Sequence, residues 1–238
     1  MANISDNSSL LGGIEAGGTK FNCVVANSSG DILARRVIPT TTPEQTLKAC
    51  ADFFHESQAS LGRINALGIG SFGPVELDKN APAYGSIKKT PKKGWSNTQV
   101  VGFFKDALGF PVAFETDVNA AAMGEYAAGV AQGCDSFVYV TIGTGIGAGV
   151  MIDGKLIQGI AHPEVGHMLI APHPLDTPKI SSCPFHDCCV EGLASGAALN
   201  LRFAEGVQWV KDDHVIWDIE SHYLAVLCAN LTQTYAPR

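Results

Sequence analysis

The chain carries one short design twice, I-E-A-G-G-T-K-F at 14–21 and V-T-I-G-T-G-I-G at 140–147. Each reads as an apolar strand, a Gly/Thr turn and a returning strand. An internal repeat of this kind predicts two related α/β lobes facing a cleft. Glycines let a backbone approach a ligand closely, and turn N–H groups can cradle an anion. Gly17, Gly18, Thr19 and Lys20 supply such a turn in the first lobe, and Thr141, Gly143, Thr144 and Gly145 in the second. Either one alone is equally an ordinary hairpin turn. The matched pair points to a phosphate clamp. No helix follows either turn directly and neither fits a P-loop, so a Rossmann or P-loop reading is disfavoured.

The periodicity around these turns gives the organisation. Residues 1–9 are polar and read as a disordered N-terminus. Strands at 10–14, 21–26 and 32–37 form a meander. A helix follows from 42, with Thr42 as N-cap and Pro43 in the first turn. A strand at 66–70 leads into 76–95, an aperiodic stretch with five lysines that reads as a long loop. A helix at 98–108 and a strand at 111–115 complete an N-terminal lobe, 10–115. The C-terminal lobe, 116–238, predicts a helix at 118–130, strands at 137–142, 147–152 and 155–158, and helices at 190–205 and 219–235.

Composition narrows the function. Among 238 residues, Asp and Glu outnumber Lys and Arg by 23 to 16, a net charge of −7. That balance argues against binding a nucleic-acid backbone. No apolar run approaches a membrane span, and the first residues lack the order of a signal peptide. Seven cysteines without a secretory signal read as thiols or metal ligands in a reducing, cytoplasmic setting. Cys23, Cys50, Cys134 and Cys228 lie in apolar patterns and read as core.

Two further segments carry chemistry. In E-T-D-V-N-A-A at 115–121, Asp117 sits between a strand end and an alanine-rich helix. It reads either as a general base for a substrate hydroxyl or as a helix N-cap. In C-P-F-H-D-C-C-V-E at 183–191, Cys183, His186 and Cys189 recur every third residue, with His167 sixteen residues upstream. Two thiolates and two imidazoles suit tetrahedral zinc. Cys188 could replace Cys189, and His173 is a spare imidazole. The proline-rich stretch between cannot form a regular element, so a metal would pin it, contributing on the order of 10 kcal/mol locally.

The segments G-I-E-A-G-G-T-K, T-P-K-K-G-W, E-T-D-V-N-A-A, T-I-G-T-G-I-G, H-P-E-V-G-H and C-P-F-H-D-C-C-V-E-G-L-A-S-G together resemble the ROK family of sugar kinases, in its bacterial fructokinase branch. The resemblance runs from about Leu10 to Arg238. It implies an actin-like ATPase (ribonuclease H-like) fold and γ-phosphoryl transfer from ATP to a hexose, with fructose as acceptor. It makes Asp117 the base and gives Glu164, His167 and Glu191 to the sugar. The two glycine turns become the phosphate loops. Its E-x-G-H and C-x-E patterns select His167 and Cys189 as ligands of a structural Zn²⁺ beside His186 and Cys183. Zinc would then hold the segment 162–191 together. Mg²⁺ is expected with ATP, Glu15 keeping a carboxylate near it, and a homodimer is favoured. The family pattern continues with a strand and a glycine-rich adenine turn, so the second lobe is expected to be incomplete and ATP affinity weak. Another hexose, such as glucose or mannose, or sugar binding without catalysis, are the competing functions. A repressor would need a DNA-binding domain ahead of the first strand.

Overall fold

The computed structural model describes residues 9–159, 162–203 and 205–238. The expected disordered N-terminus lies, apart from Ser9, outside the described residues. Packing divides the chain into two units that meet between Ala120 and Ala121.

The first unit opens on β1 (Leu10–Ala16), β2 (Lys20–Asn27) and β3 (Ile32–Pro39). Then come α1 (Pro43–Leu61), β4 (Ile64–Ser71) and the two-residue strands β5 (Ser86–Ile87) and β6 (Thr98–Gln99). Helix α2 (Val100–Leu108) and β7 (Val112–Thr116) complete the set. The sheet runs β3-β2-β1-β4-β7. β1 pairs antiparallel with β2 and parallel with β4, and β4 pairs parallel with β7. Parallel neighbours need crossovers, and α1 and α2 provide them. Ile14, Phe21, Val25, Leu67 and Ile69 bury one face against Leu47, Cys50 and Phe54 of α1 and Phe104 of α2.

Local chemistry sets these helix limits. The Thr42 hydroxyl accepts the Gln45 N–H at 3.4 Å, and α1 stops at Gly62, whose φ of +107° glycine tolerates. Leu61, in the last turn, is exposed. The expected loop 76–95 is largely irregular but anchored. Trp95 is fully buried, 5.4 Å from Phe21 and 5.6 Å from Phe72 between ring centroids. Its Nε1 donates to the Thr41 carbonyl at 2.9 Å, so the indole loses no hydrogen bond on burial.

Helix α3 (Asp117–Ala128) carries the chain into the second unit. There β8 (Phe137–Ile142), β9 (Ile146–Ile152) and β10 (Lys155–Leu156) form an antiparallel sheet ordered β10-β9-β8. This repeats the meander of the first unit. Three helices follow: α4 (Val190–Ala194), α5 (Gly196–Arg202) and α6 (Ile216–Tyr235). Their core gathers Ile146, Val165, Val190, Leu193, Tyr223 and Leu227.

Three expectations need correction here. The single helix at 190–205 is two, because Ser195 is extended (φ −80°, ψ 163°) and its hydroxyl caps α5 by accepting the Ala198 N–H. The last helix starts at Ile216, whose N–H is taken by His214 Nδ1. Cys228 is exposed rather than core, since α6 buries the Ile219–Tyr223–Leu227 stripe and residue 228 falls off it. Cys134 is half-buried, while Cys23 and Cys50 are buried as read. Among the described residues, no helix is long and apolar enough to cross a membrane.

Candidate active site and metal centre

At the end of β7, the corner into α3 bears on the cap reading of Asp117. The Thr116 hydroxyl accepts the Asn119 N–H at 3.1 Å, so Thr116 does the capping. Asp117 is the first helical residue, exposed, with its Oδ1 accepting the Val118 N–H at 2.9 Å. The carboxylate stands at a strand C-terminus, where ligands bind in α/β sheets.

Each glycine turn is closed by a backbone bond from its first glycine, across four residues in the first and three in the second. The Gly17 N–H bonds Lys20 O at 2.9 Å, and the Gly143 N–H bonds Gly145 O at 2.9 Å. At Gly18 and at Gly143, nothing stands within 4 Å of the place a Cβ would take, and neither has a positive φ. Packing within the protein therefore does not require glycine at either position. That open space leaves the backbone at both turns accessible from outside.

The second turn is tied to the later helices. The Gly196 N–H donates to Gly143 O at 2.8 Å and the Ala197 N–H to Thr144 O at 3.2 Å. Glu191 Oε2 accepts the Ile146 N–H at 3.0 Å, and a Cβ on Gly145 would lie 2.6 Å from that oxygen. A groove of about 490 Å³ opens beside this turn, lined by Ile142, Gly143, Leu199, Trp217, Glu220 and Leu224 among others. Burial pushes the Glu220 carboxyl up to about 7, with Asp176 adding to the effect and Arg202 opposing it.

His162, Glu164 and His167 lie around a single 3-10 turn, Val165–His167. Gly166 presses so closely on the Ile146 carbonyl that no Cβ fits. Glu164 is half-exposed, with Oε1 3.4 Å from His162 Nε2. After the turn the chain pairs with the segment entering α4. The Val190 N–H bonds Met168 O at 3.0 Å, and the Ile170 N–H bonds Cys188 O at 2.9 Å. This pairing holds the histidine and cysteine segments side by side.

His167, Cys183, His186 and Cys189 converge, with one ligand atom of each within 4.8 Å of all the others. The sulfur–nitrogen separations are 3.8 Å (Cys183–His167), 3.6 Å (Cys183–His186) and 3.8 Å (Cys189–His167). Zinc bonds of about 2.3 Å to sulfur and 2.0–2.1 Å to nitrogen, arranged tetrahedrally, separate such atoms by about 3.6 Å. The donor set therefore fits zinc in size and in softness. Cys189 Sγ accepts the Gly192 N–H at 3.3 Å, and Cys183 Sγ the Phe185 N–H at 3.5 Å, as thiolates would. Burial pushes the Cys189 thiol up to about 11, a cost that a coordinated cation reverses. Cys188, His162 and His173 stand outside the cluster. His173 instead packs against the His222 ring, 5.0 Å between centroids.

One buried network escaped the sequence reading. Asp176 Oδ2 accepts from Arg202 Nη2 and from the Tyr223 hydroxyl, both at 2.8 Å. Arg202 also donates to Leu193 O at 2.9 Å. The network pins the proline-rich stretch to α5 and α6. Its sequence signal was the lone Asp in a segment otherwise read as featureless.

The sequence profile of the ROK family matches residues 11–236. The chain belongs to the ROK family. A fructokinase of Pediococcus pentosaceus is 42% identical over 228 residues, which is 96% of this chain and 77% of that one. A glucokinase of Streptomyces coelicolor is 33% identical over 196 residues, 81% of this chain and 58% of that one. Among solved structures, the ROK hexokinase of Thermus thermophilus matches with a TM-score of 0.77 at 27% identity, covering 96% of this chain and 79% of that one. The ROK chain described here thus has the actin-like ATPase fold expected of it, with the repeated meander as its visible mark.

Proposed function

We propose that the protein is an ATP-dependent fructokinase. The observation that carries this is the 42% identity to a fructokinase against 33% to a glucokinase, each over most of the chain. Asp117 takes the proton from the fructose 6-hydroxyl. The freed oxygen pair bonds to the γ-phosphorus while the β–γ bridge breaks, giving fructose 6-phosphate and ADP. Phosphoryl transfer of this kind needs positioning and charge stabilisation above all. Glu164, His167 and Glu191 hydrogen-bond the sugar. Gly17, Gly18, Thr19 and Lys20, with Thr141, Gly143, Thr144 and Gly145, hold the phosphates. Because the Gly17 and Gly143 amides close their own turns, the amides of Gly18, Thr19, Thr144 and Gly145 are the ones offered to phosphate. The groove beside Gly143 takes the base.

Glu15 would be the carboxylate near Mg²⁺, which when bound with ATP would supply charge neutralisation on the phosphates. Zn²⁺ on His167, Cys183, His186 and Cys189 is structural, since four protein ligands close its shell. A homodimer in the cytoplasm is the proposed state. The test is ADP release from Mg·ATP with D-fructose, glucose and mannose in parallel, and Asp117→Asn as control. Fructose-dependent turnover lost in the variant supports the proposal. Glucose or mannose preferred over fructose refutes the acceptor, and turnover retained in Asp117→Asn refutes the base.

A further inference from the structure

The corner that presents Asp117 carries more hydrogen bonds than starting a helix needs. Thr116 already supplies the cap. In addition, Glu115 folds its carboxylate over the corner. Its Oε2 accepts the Thr116 N–H at 3.1 Å and Asn119 Nδ2 at 2.8 Å. Residues 115 and 119 thereby clasp each other across Asp117. Asn119 is fully buried, and its Oδ1 has no hydrogen-bond partner among the described residues. The amide cannot rotate to relieve this, because a flip would set its oxygen against the Glu115 carboxylate. A stranded buried carbonyl is a cost, and an apolar residue of similar size would avoid it. The corner is also pressed onto β4, where a Cβ on Gly70 would come 2.6 Å from the Ala120 Cβ.

We infer that the Glu115–Asn119 pair is a positioning clasp for Asp117. The physical route is short. Asp117 Oδ1 takes its direction from the Val118 N–H, and that peptide lies inside the loop which the clasp closes. Neither residue touches the acceptor; both act through the carboxylate between them. The Tyr84 phenol also feels the Glu115 carboxylate, being pushed up first by burial and then by that charge. The inference rests on the reading of Asp117 as base.

The test reverses the clasp. Asn119→Asp removes the donor and sets two carboxylates together. Glu115→Gln keeps one side-chain oxygen that can still accept from Asn119 and Thr116, so alone it is the mild variant; in the double variant its amide N–H donates to the new residue-119 carboxylate in the opposite sense while its side-chain oxygen serves Thr116. Asn119→Asp is expected to lose about 10- to 100-fold in kcat with fructose, the scale of a misplaced catalytic group, with KM for Mg·ATP within about twofold. The double variant is expected to regain at least about tenfold of that loss. Fructose affinity by calorimetry should follow the same order, and melting temperature is measured throughout. Parental kcat in a folded Asn119→Asp overturns the inference. So does a folded double variant no better than Asn119→Asp. If Asn119→Asp does not fold, a folded double variant within about tenfold of the parental kcat supports the inference and a lower one overturns it. Turnover retained in Asp117→Asn, or a parent that neither binds nor phosphorylates fructose, fails the underlying reading instead and takes the clasp with it.

Discussion

Removing the metal is the sharpest perturbation of the second unit. Three sulfur–nitrogen separations among the four donors, 3.6–3.8 Å, stand within about 0.2 Å of tetrahedral zinc spacing, and all four donor atoms lie within 4.8 Å of one another. The backbone pairing of Met168–Ile170 with Cys188–Val190 holds both ligand segments without the metal. Little ordering entropy then remains to be lost on binding, unlike in a zinc finger, where binding must drive folding. Structural zinc is worth roughly 10–16 kcal/mol even there, so a dissociation constant of about 1 nM or below is expected. At about a thousandfold excess of free zinc over that constant, the ion stabilises the folded state by about 4 kcal/mol. For a unit near 100 residues this is on the order of 15–25 °C in melting temperature. Elemental analysis should find one zinc per chain. Scanning calorimetry with and without a chelator should find the shift. Cys189→Ser should lose the metal and Cys188→Ser should keep it. A chelated, metal-free protein melting within about 3 °C of the untreated one would refute this reasoning.

Other outcomes follow from single contacts. Trp95→Phe removes the part-buried bond to the carbonyl of exposed Thr41, so denaturant titration should show a loss of about 0.5–1.5 kcal/mol for that bond, with the cost of the smaller ring added. Glu220 binds its proton more tightly folded than unfolded, so the carboxyl weakens the fold as pH rises from about 4.5 through 7. Glu220→Gln should therefore be close to neutral at pH 5 and stabilising by about 2–3 kcal/mol at pH 8; equal effects at both would contradict the shift. Gly166→Ala drives a methyl into the Ile146 carbonyl and should cost about 1–3 kcal/mol in thermal unfolding, with weaker zinc retention because His167 rides on the same turn.

What could be read from the sequence was what local chemistry dictates. Thr42-Pro43 fixed the start of α1, and the twin glycine turns announced both meanders before any strand was paired. Cys183, His186 and Cys189 betrayed themselves by spacing. What could not be read depends on contacts distant in sequence. Trp95 looked like part of a structureless loop because its partners, Phe21, Phe72 and Thr41, are all elsewhere. Asp176 and Arg202 are 26 residues apart and carry no pattern. The break at Ser195 was hidden because its cause is a bond from Gly196 to Gly143, 53 residues away. At Asp117 the sequence offered two roles, and the Thr116 hydroxyl bond, invisible in the sequence, gives the cap to its neighbour.

The close fit of Gly145 under the Glu191 carboxylate has a consequence for how such a chain can change over generations. A side chain at 145 evicts the carboxylate; a shorter residue at 191 first makes room for it. The same holds for Gly196 against the Gly143 carbonyl, except that there the obstacle is backbone and no prior substitution removes it. One glycine is thus conditionally replaceable and the other is not. Mutational paths through this turn are therefore unequal: libraries at position 145 should recover folded variants in which the Glu191 side chain has swung aside, more of them when 191 is varied as well, while position 196 should stay glycine.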